Sequence, residues 1–284
     1  MSLRTLPEAK TFARPKNYQW DTPSDVLARW GEMPLAADAG DDATITIYDV
    51  IGEDFWTGGG VTAKRVSAAL RTIGKRDVTV KINSPGGDLF EGIAIYNLLR
   101  KHEAKVSVEV LGWAASAASI IAMAGDEIAM GLGTFMMVHN AWGLVVGNRH
   151  DMREAAGLFD EFDGAIADIY EARTGNKRDA IVALMDAETF MNGKTAVEKG
   201  FADSVDETLE IPDGGTKEQN RGLMARRQTE AALARAGFSR ETRSEMLLEM
   251  GVTDAAPRDA SRNAERDAGI QPADIRRLIE TMKS

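Results

Sequence analysis

The sequence predicts an α/β fold built from strand–helix–strand units. Short runs of strand composition recur between residues 43 and 139, and runs with helical spacing separate them. A Ser-Pro-Gly-Gly turn joins one such strand to the helix after it. Units of this length imply right-handed βαβ crossovers. In such folds, sites gather at the C-terminal ends of strands and the N-termini of helices.

Residues 1–40 mix Pro, Lys, Arg, Trp and Gly without periodicity and read as an irregular arm. Residues 43–48, Ala-Thr-Ile-Thr-Ile-Tyr, alternate and read as a first strand. Val61, Val66, Ala69, Leu70 and Ile73 recur at helical spacing. Val78-Thr79-Val80-Lys81-Ile82 is a second strand; Ser84-Pro85-Gly86-Gly87 then turns the chain into a helix over 89–100. Residues 106–111 form a third strand, and 114–124 a third helix whose small residues suit a buried place. Residues 127–130 and 135–139 are further strands. Met152, Ala155, Ala156, Phe159, Phe162, Ile166, Ile169 and Tyr170 share one face of a long amphipathic helix. Its other face is acidic, with Asp151, Glu154, Asp160, Glu161 and Asp163, and Gly175 stops it. A shorter helix covers 178–185. Ile211-Pro212-Asp213-Gly214-Gly215 marks a linker. Helical stretches near 222–236, 240–249 and 272–282 follow; their apolar content is thin, so they are expected to be marginal without a partner. The division is an arm (1–40), a main domain (41–206), and a linker with a helical tail (207–284).

Composition narrows the function. The 284 residues contain no cysteine, which excludes a thiol nucleophile, a disulfide scaffold and cysteine-ligated metal, and fits a reducing compartment. Net charge is −10; residues 1–206 carry 21 basic and 30 acidic side chains, which argues against nucleic-acid binding. The apolar run over 113–124 is too short to span a bilayer, and the first 30 residues lack a signal-peptide pattern. The expectation is a cytoplasmic protein without a membrane partner.

Three histidines exist, so a histidine base must be one of them. His102 reads as a solvated helix end and His150 as part of a polar loop, Gly147-Asn148-Arg149-His150. Only His139 ends an apolar strand. Ser116 lies in Gly112-Trp113-Ala114-Ala115-Ser116-Ala117-Ala118-Ser119, at the start of a helix. A serine hydroxyl is a poor nucleophile until a base takes its proton, and histidine suits that task near neutral pH. A helix N-terminus also favours an oxyanion. Each of Ser116, His139 and the Gly-rich turn has an ordinary structural reading alone; their joint order at strand–helix junctions points to a Ser–His hydrolase. His139 lacks ligand-spaced partners, so no metal and no cofactor are expected.

The combination resembles the proteolytic subunit of the Clp protease, ClpP. Ile82-Asn83-Ser84-Pro85-Gly86-Gly87 is similar to that family's oxyanion segment and Gly92-Ile93-Ala94-Ile95-Tyr96 to the helix after it. Gly112-Trp113-Ala114-Ala115-Ser116 is similar to the nucleophile motif and Met137-Val138-His139-Asn140 to the histidine segment. Glu188-Thr189-Phe190-Met191, with residues 196–203, resembles the acid segment and the closing helix. The family has Asp two residues before the aromatic, where this chain has Glu188; Asp186 is the alternative acid. The resemblance spans roughly residues 43–205. It implies a ClpP/crotonase-like fold of repeated β-β-α units with a protruding handle helix from Met152. It implies Ser116 as nucleophile, His139 as base and then acid, and an oxyanion hole from the Gly87 and Ala117 N–H groups. Gly86 and Asn140 would bind an extended peptide by β-augmentation. It also implies a homo-oligomeric ring or two stacked rings.

With its leader and its tail of about 80 residues, the chain further resembles the head-maturation proteases of phages and prophages. That implies a protease for capsid and scaffold proteins in a host cytoplasm or prohead. The alternatives are a housekeeping subunit served by an ATPase unfoldase, a silent capsid-assembly component, a crotonase-like acyl-CoA enzyme, and a Ser–Lys hydrolase that His139 makes unnecessary.

Overall fold

A computed structural model describes residues 6–12, 18–20, 43–52, 60–209, 225 and 228–249. The linker 211–215 and the expected helix at 272–282 lie outside these residues. The first elements are β1 (Tyr18–Trp20), β2 (Thr44–Ile47), α1 (Ala63–Ile73), β3 (Val78–Ser84), α2 (Leu89–Arg100) and β4 (Val106–Ala115). Then come α3 (Ala117–Ala122), β5 (Glu127–Gly131), β6 (Phe135–Val138), β7 (Gly143–Val145) and α4 (Arg149–Thr174). The domain closes with α5 (Arg178–Asp186), β8 (Thr189–Asn192), α6 (Gly193–Glu198) and β9 (Ser204–Asp206). In the tail, residues 228–235 and Arg240–Glu249 are helical.

The main sheet runs β2-β3-β4-β5-β9, all parallel. Its strands alternate. Ile45, Ile47, Val80, Ile82, Val108 and Val110 are buried, while Thr44, Thr46, Thr79, Lys81, Ser107 and Glu109 on the other face are partly exposed. A parallel sheet covered on both faces would read as continuous apolar runs, so the alternation places the helices on one face. Between Ile82 and Ser84 the β3–β4 register shifts: Ile82 pairs with Val110 and Ser84 with Ala114. Its first half pairs with β5; its second half, Trp113 to Ala115, pairs with β6. An antiparallel β8 closes β6 on the other side. One strand therefore pairs with both β5 and β6, and its far end delivers Ser116 to β6.

Local chemistry explains the helix starts. Asp88 caps α2 by accepting from Phe90 N at 2.8 Å. Thr62 caps α1, and the Glu91 carboxylate adds an acceptor for Ala63 N at 2.6 Å. Asn148 and Asp151 form a capping box on α4, and Gly175 ends that helix in the left-handed region.

Several expectations need correction. The third strand extends to Ala115 and its helix starts only at Ala117, because Ala114 and Ala115 pair with Met136 and Met137; pairing overrides alanine's helical propensity. His150 belongs to the first turn of α4, since its polar neighbours are a cap and not a loop. His102 is buried, its Nε2 2.7 Å from Arg76 O, and is not a solvated end. The arm is not wholly irregular: β1 pairs antiparallel with β7, and Tyr96 Oη donates to Pro7 O. Strands β7, β8 and β9 escaped the sequence reading.

Candidate active site

Ser116 stands where β4 hands over to α3, with φ 55° and ψ −126°. This conformation is costly for any residue with a Cβ and turns the side chain sharply out of the strand. Three contacts hold it. Ser116 N–H donates to Met137 O at 2.9 Å, which continues the β4–β6 pairing past Ala115. Ser116 C=O accepts from Ser119 N at 2.9 Å and from Ser119 Oγ at 2.6 Å. Ser119 Oγ in turn lies 2.7 Å from Tyr170 Oη, which ties the turn to α4. Burial holds the Tyr170 phenol well above its ordinary pKa, so it stays neutral.

His139 follows the last residue of β6 and is buried. Its Nε2 is 2.7 Å from Ser116 Oγ. When the hydroxyl donates this bond, Nε2 is the acceptor and the ring proton sits on Nδ1.

The Gly-rich turn seats directly on the serine. A Cβ at Gly86 would fall 2.5 Å from Ala115 O and 2.6 Å from Ser116 Cβ, so only glycine allows this approach. Ile51 holds the turn from behind: Ile51 N–H donates to Gly86 O, and Asp88 N–H donates to Ile51 O, both at 2.9 Å. In that parallel bridge Gly87's own N–H points away from Ile51. Among the described residues neither Gly87 N–H nor Ala117 N–H donates to an acceptor. Gly87, Ser116, Ala117 and His139 line one recess, whose walls are Leu89, Ile120, Ala141, Trp142 and Ile166. Two free donors, a hydroxyl, an imidazole and an apolar recess thus converge.

The expected acid is placed differently. Glu188 is exposed, in the left-handed region at φ 47°, and no hydrogen bond joins it to His139. Asp186 meets Asn140 instead: Asn140 Nδ2 donates to its Oδ1 at 2.8 Å. Asp163, which the sequence reading placed only on a solvated face, is half-buried and accepts from Ala141 N at 2.6 Å. Burial, first of all, raises its carboxyl pKa; the Ala141 N–H lowers it, and Asp160 and Asp186 raise it further. No sequence signal marks this contact, because it joins α4 to a loop 22 positions earlier. Among the described residues no group of three or more His, Asp or Glu side chains is arranged to hold a metal ion.

Comparison with known proteins fits this geometry. The Clp protease family model matches residues 61–208. The ATP-dependent Clp protease proteolytic subunit of Deinococcus radiodurans is 31% identical over 143 residues, 49% of this chain and 70% of the relative. The structure of a ClpP1 mutant from Listeria monocytogenes superposes with a TM-score of 0.51 at 22% identity, over 59% of this chain and 92% of that one. The last likeness establishes the α/β ClpP fold.

Proposed function

This chain belongs to the Clp protease family, and on that premise we propose that it is a serine endopeptidase using Ser116 and His139. The observation that carries the reading is the 2.7 Å contact of Ser116 Oγ with His139 Nε2, beside two unbonded N–H groups. In this mechanism Ser116 Oγ attacks the peptide carbonyl carbon while His139 takes its proton. Gly87 and Ala117 N–H donate to the oxyanion. His139 then gives the proton to the leaving amine, and the acyl-enzyme is released by water that His139 deprotonates.

Glu188 is the proposed acid and Asp186 the alternative; one must turn to His139 Nδ1. Comparison of Glu188→Gln with Asp186→Asn identifies it: the acid's variant loses about a hundredfold or more in kcat, and the other stays near wild type. Equal, small losses in both would remove the acid from the mechanism.

We further propose a homo-oligomeric ring that processes capsid or scaffold proteins in a phage-infected or lysogenic cell. Support comes from the tail beyond residue 208, where the family match ends, and from exposed Leu132 and Val146 on the single chain. A second reading follows the Deinococcus relative: a subunit served by an ATPase.

The test is a fluorophosphonate probe with intact-mass readout on wild type, Ser116→Ala and His139→Ala. One adduct on wild type and none on either variant is the expected outcome. An adduct surviving Ser116→Ala would sink the assignment. Wild-type truncation within 207–220, absent in Ser116→Ala, would favour the head-maturation reading; ATPase-stimulated proteolysis would favour the second.

A further inference from the structure

The segment carrying His139 is firmly held on one side only by sheet. Before it, β6 is paired with β4 and β8, and Met137 O accepts the Ser116 N–H. After it, no strand begins until β7 at Gly143. Residues 139–142 bridge the gap. Within that bridge, Ala141 N–H donates to Asp163 Oδ1 of α4 at 2.6 Å, and the Asn140 side chain reaches Asp186 of α5. We propose that Asp163 is a positioning residue for His139, acting through the Ala141 N–H.

The inference rests on the Ser116–His139 reading above. Ala141 is two residues from His139 and walls the same recess as Ser116. A backbone N–H held by a carboxylate is a charge-assisted bond, roughly twice as strong as a neutral one. It fixes the backbone where the imidazole leaves the strand. Misplacement of a reacting group by about 1 Å costs up to roughly a hundredfold in rate.

The surroundings make Asp163 depend on this bond. The groove it faces, about 610 Å³, also presents Lys10, Asp160, Glu161, Asp168, Arg178 and Asp186. Arg178 is engaged by Asp168 and Glu171, and Lys10 by Glu161. With both cations taken by other carboxylates, the Ala141 N–H offsets the Asp163 charge.

The sign of the pH effect follows. Asp163 is ionised and grips Ala141 above its raised pKa. As pH falls through that value it gains a proton, and the grip weakens. His139 is also protonated on the acid side, so kcat/KM of the wild type should fall there with two protons rather than one. In Asp163→Asn the amide oxygen still accepts the Ala141 N–H but does not titrate, so its acid limb should be a one-proton limb.

The experiment measures peptide hydrolysis, pH profiles and Ser116 labelling for full-length wild type, Asp163→Ala and Asp163→Asn. Expected are a kcat loss of about tenfold or more for Asp163→Ala with KM little changed, and recovery to within about threefold in Asp163→Asn. Should Asp163→Ala fail to fold, Asp163→Asn and its acid limb decide. A folded Asp163→Ala with wild-type kcat, or an Asp163→Asn limb identical to wild type, overturns the proposal while Ser116 labelling stands. A wild type that takes no label overturns both readings together.

Discussion

At Ser116 the backbone holds a conformation that costs a non-glycine residue about 1–3 kcal/mol, and its neighbours leave it no alternative. Gly86 packs on its Cβ, Met137 takes its N–H, and Ser119 takes its carbonyl. The companion turn has no slack either. A Cβ at Gly87 would lie 2.1 Å from Ile51 O, at a φ of 150°. Backbone meets side chain there and neither can swing aside. Gly87→Ala should therefore cost about 2–4 kcal/mol, or roughly 5–15 °C in Tm; a thermal melt within 2 °C of wild type would contradict this. At this scale the sequence was informative where a residue works through its own local string. Ser116, Gly86 and Gly87 sit at strand–helix junctions, and His139 at a strand end, that alternation and glycines announce. The carboxylates did not announce themselves. Asp163 reads as one more acid on a solvated face, and only the return of the chain after β6 brings Ala141 to it.

Among the elements, those with a period were readable and those defined by pairing were not. The helices over 63–73, 89–100 and 178–186 follow their apolar spacing, and the first two also their caps. Strands β7, β8 and β9 are three or four residues long and exist through their partners, which no local pattern encodes. One such strand end is anchored by charge. Arg173, near the end of α4, is nearly buried and meets Asp203 at 2.6 Å, while Asp203 also accepts from Ile128 N of β5. Asp203→Ala leaves the guanidinium buried without its carboxylate, a loss of about 3–5 kcal/mol. Urea unfolding should show a lower midpoint at an unchanged slope; an unchanged midpoint would mean that the pair contributes nothing. The β1–β7 pair offers a second prediction. Trp20 stands opposite Gly143, the end of β7 nearer His139. Replacing residues 18–20 with Gly-Pro-Gly should unpair β7 and lower KM for an extended peptide several-fold at similar kcat. An unchanged KM would separate β7 from peptide binding.

For the molecule as a whole, the family match ends at residue 208, and the main core cluster draws on residues before the tail. Ala231 and Leu247 are buried without belonging to that cluster. A chain ending at residue 209 should thus fold with a Tm within about 4 °C of full length; a larger fall would make the tail part of the core. The net charge of −10 opposes association between copies. If the chain forms rings, added salt should promote them, which sedimentation at 0.05 and 0.5 M salt, about a threefold change in screening length, would register. The arm's strand has a consequence of another kind. Because β1 and β7 belong to one chain, a peptide pairing with β7 competes with an intramolecular ligand, whose effective concentration is on the order of millimolar. A free peptide in dilute solution loses that competition. A peptide confined with the protein in a closed compartment, where local concentrations reach the same range, does not. If β7 pairs with substrate, its edge is thereby tuned to crowding: closed to stray peptides in dilute solution and open to those packed beside it.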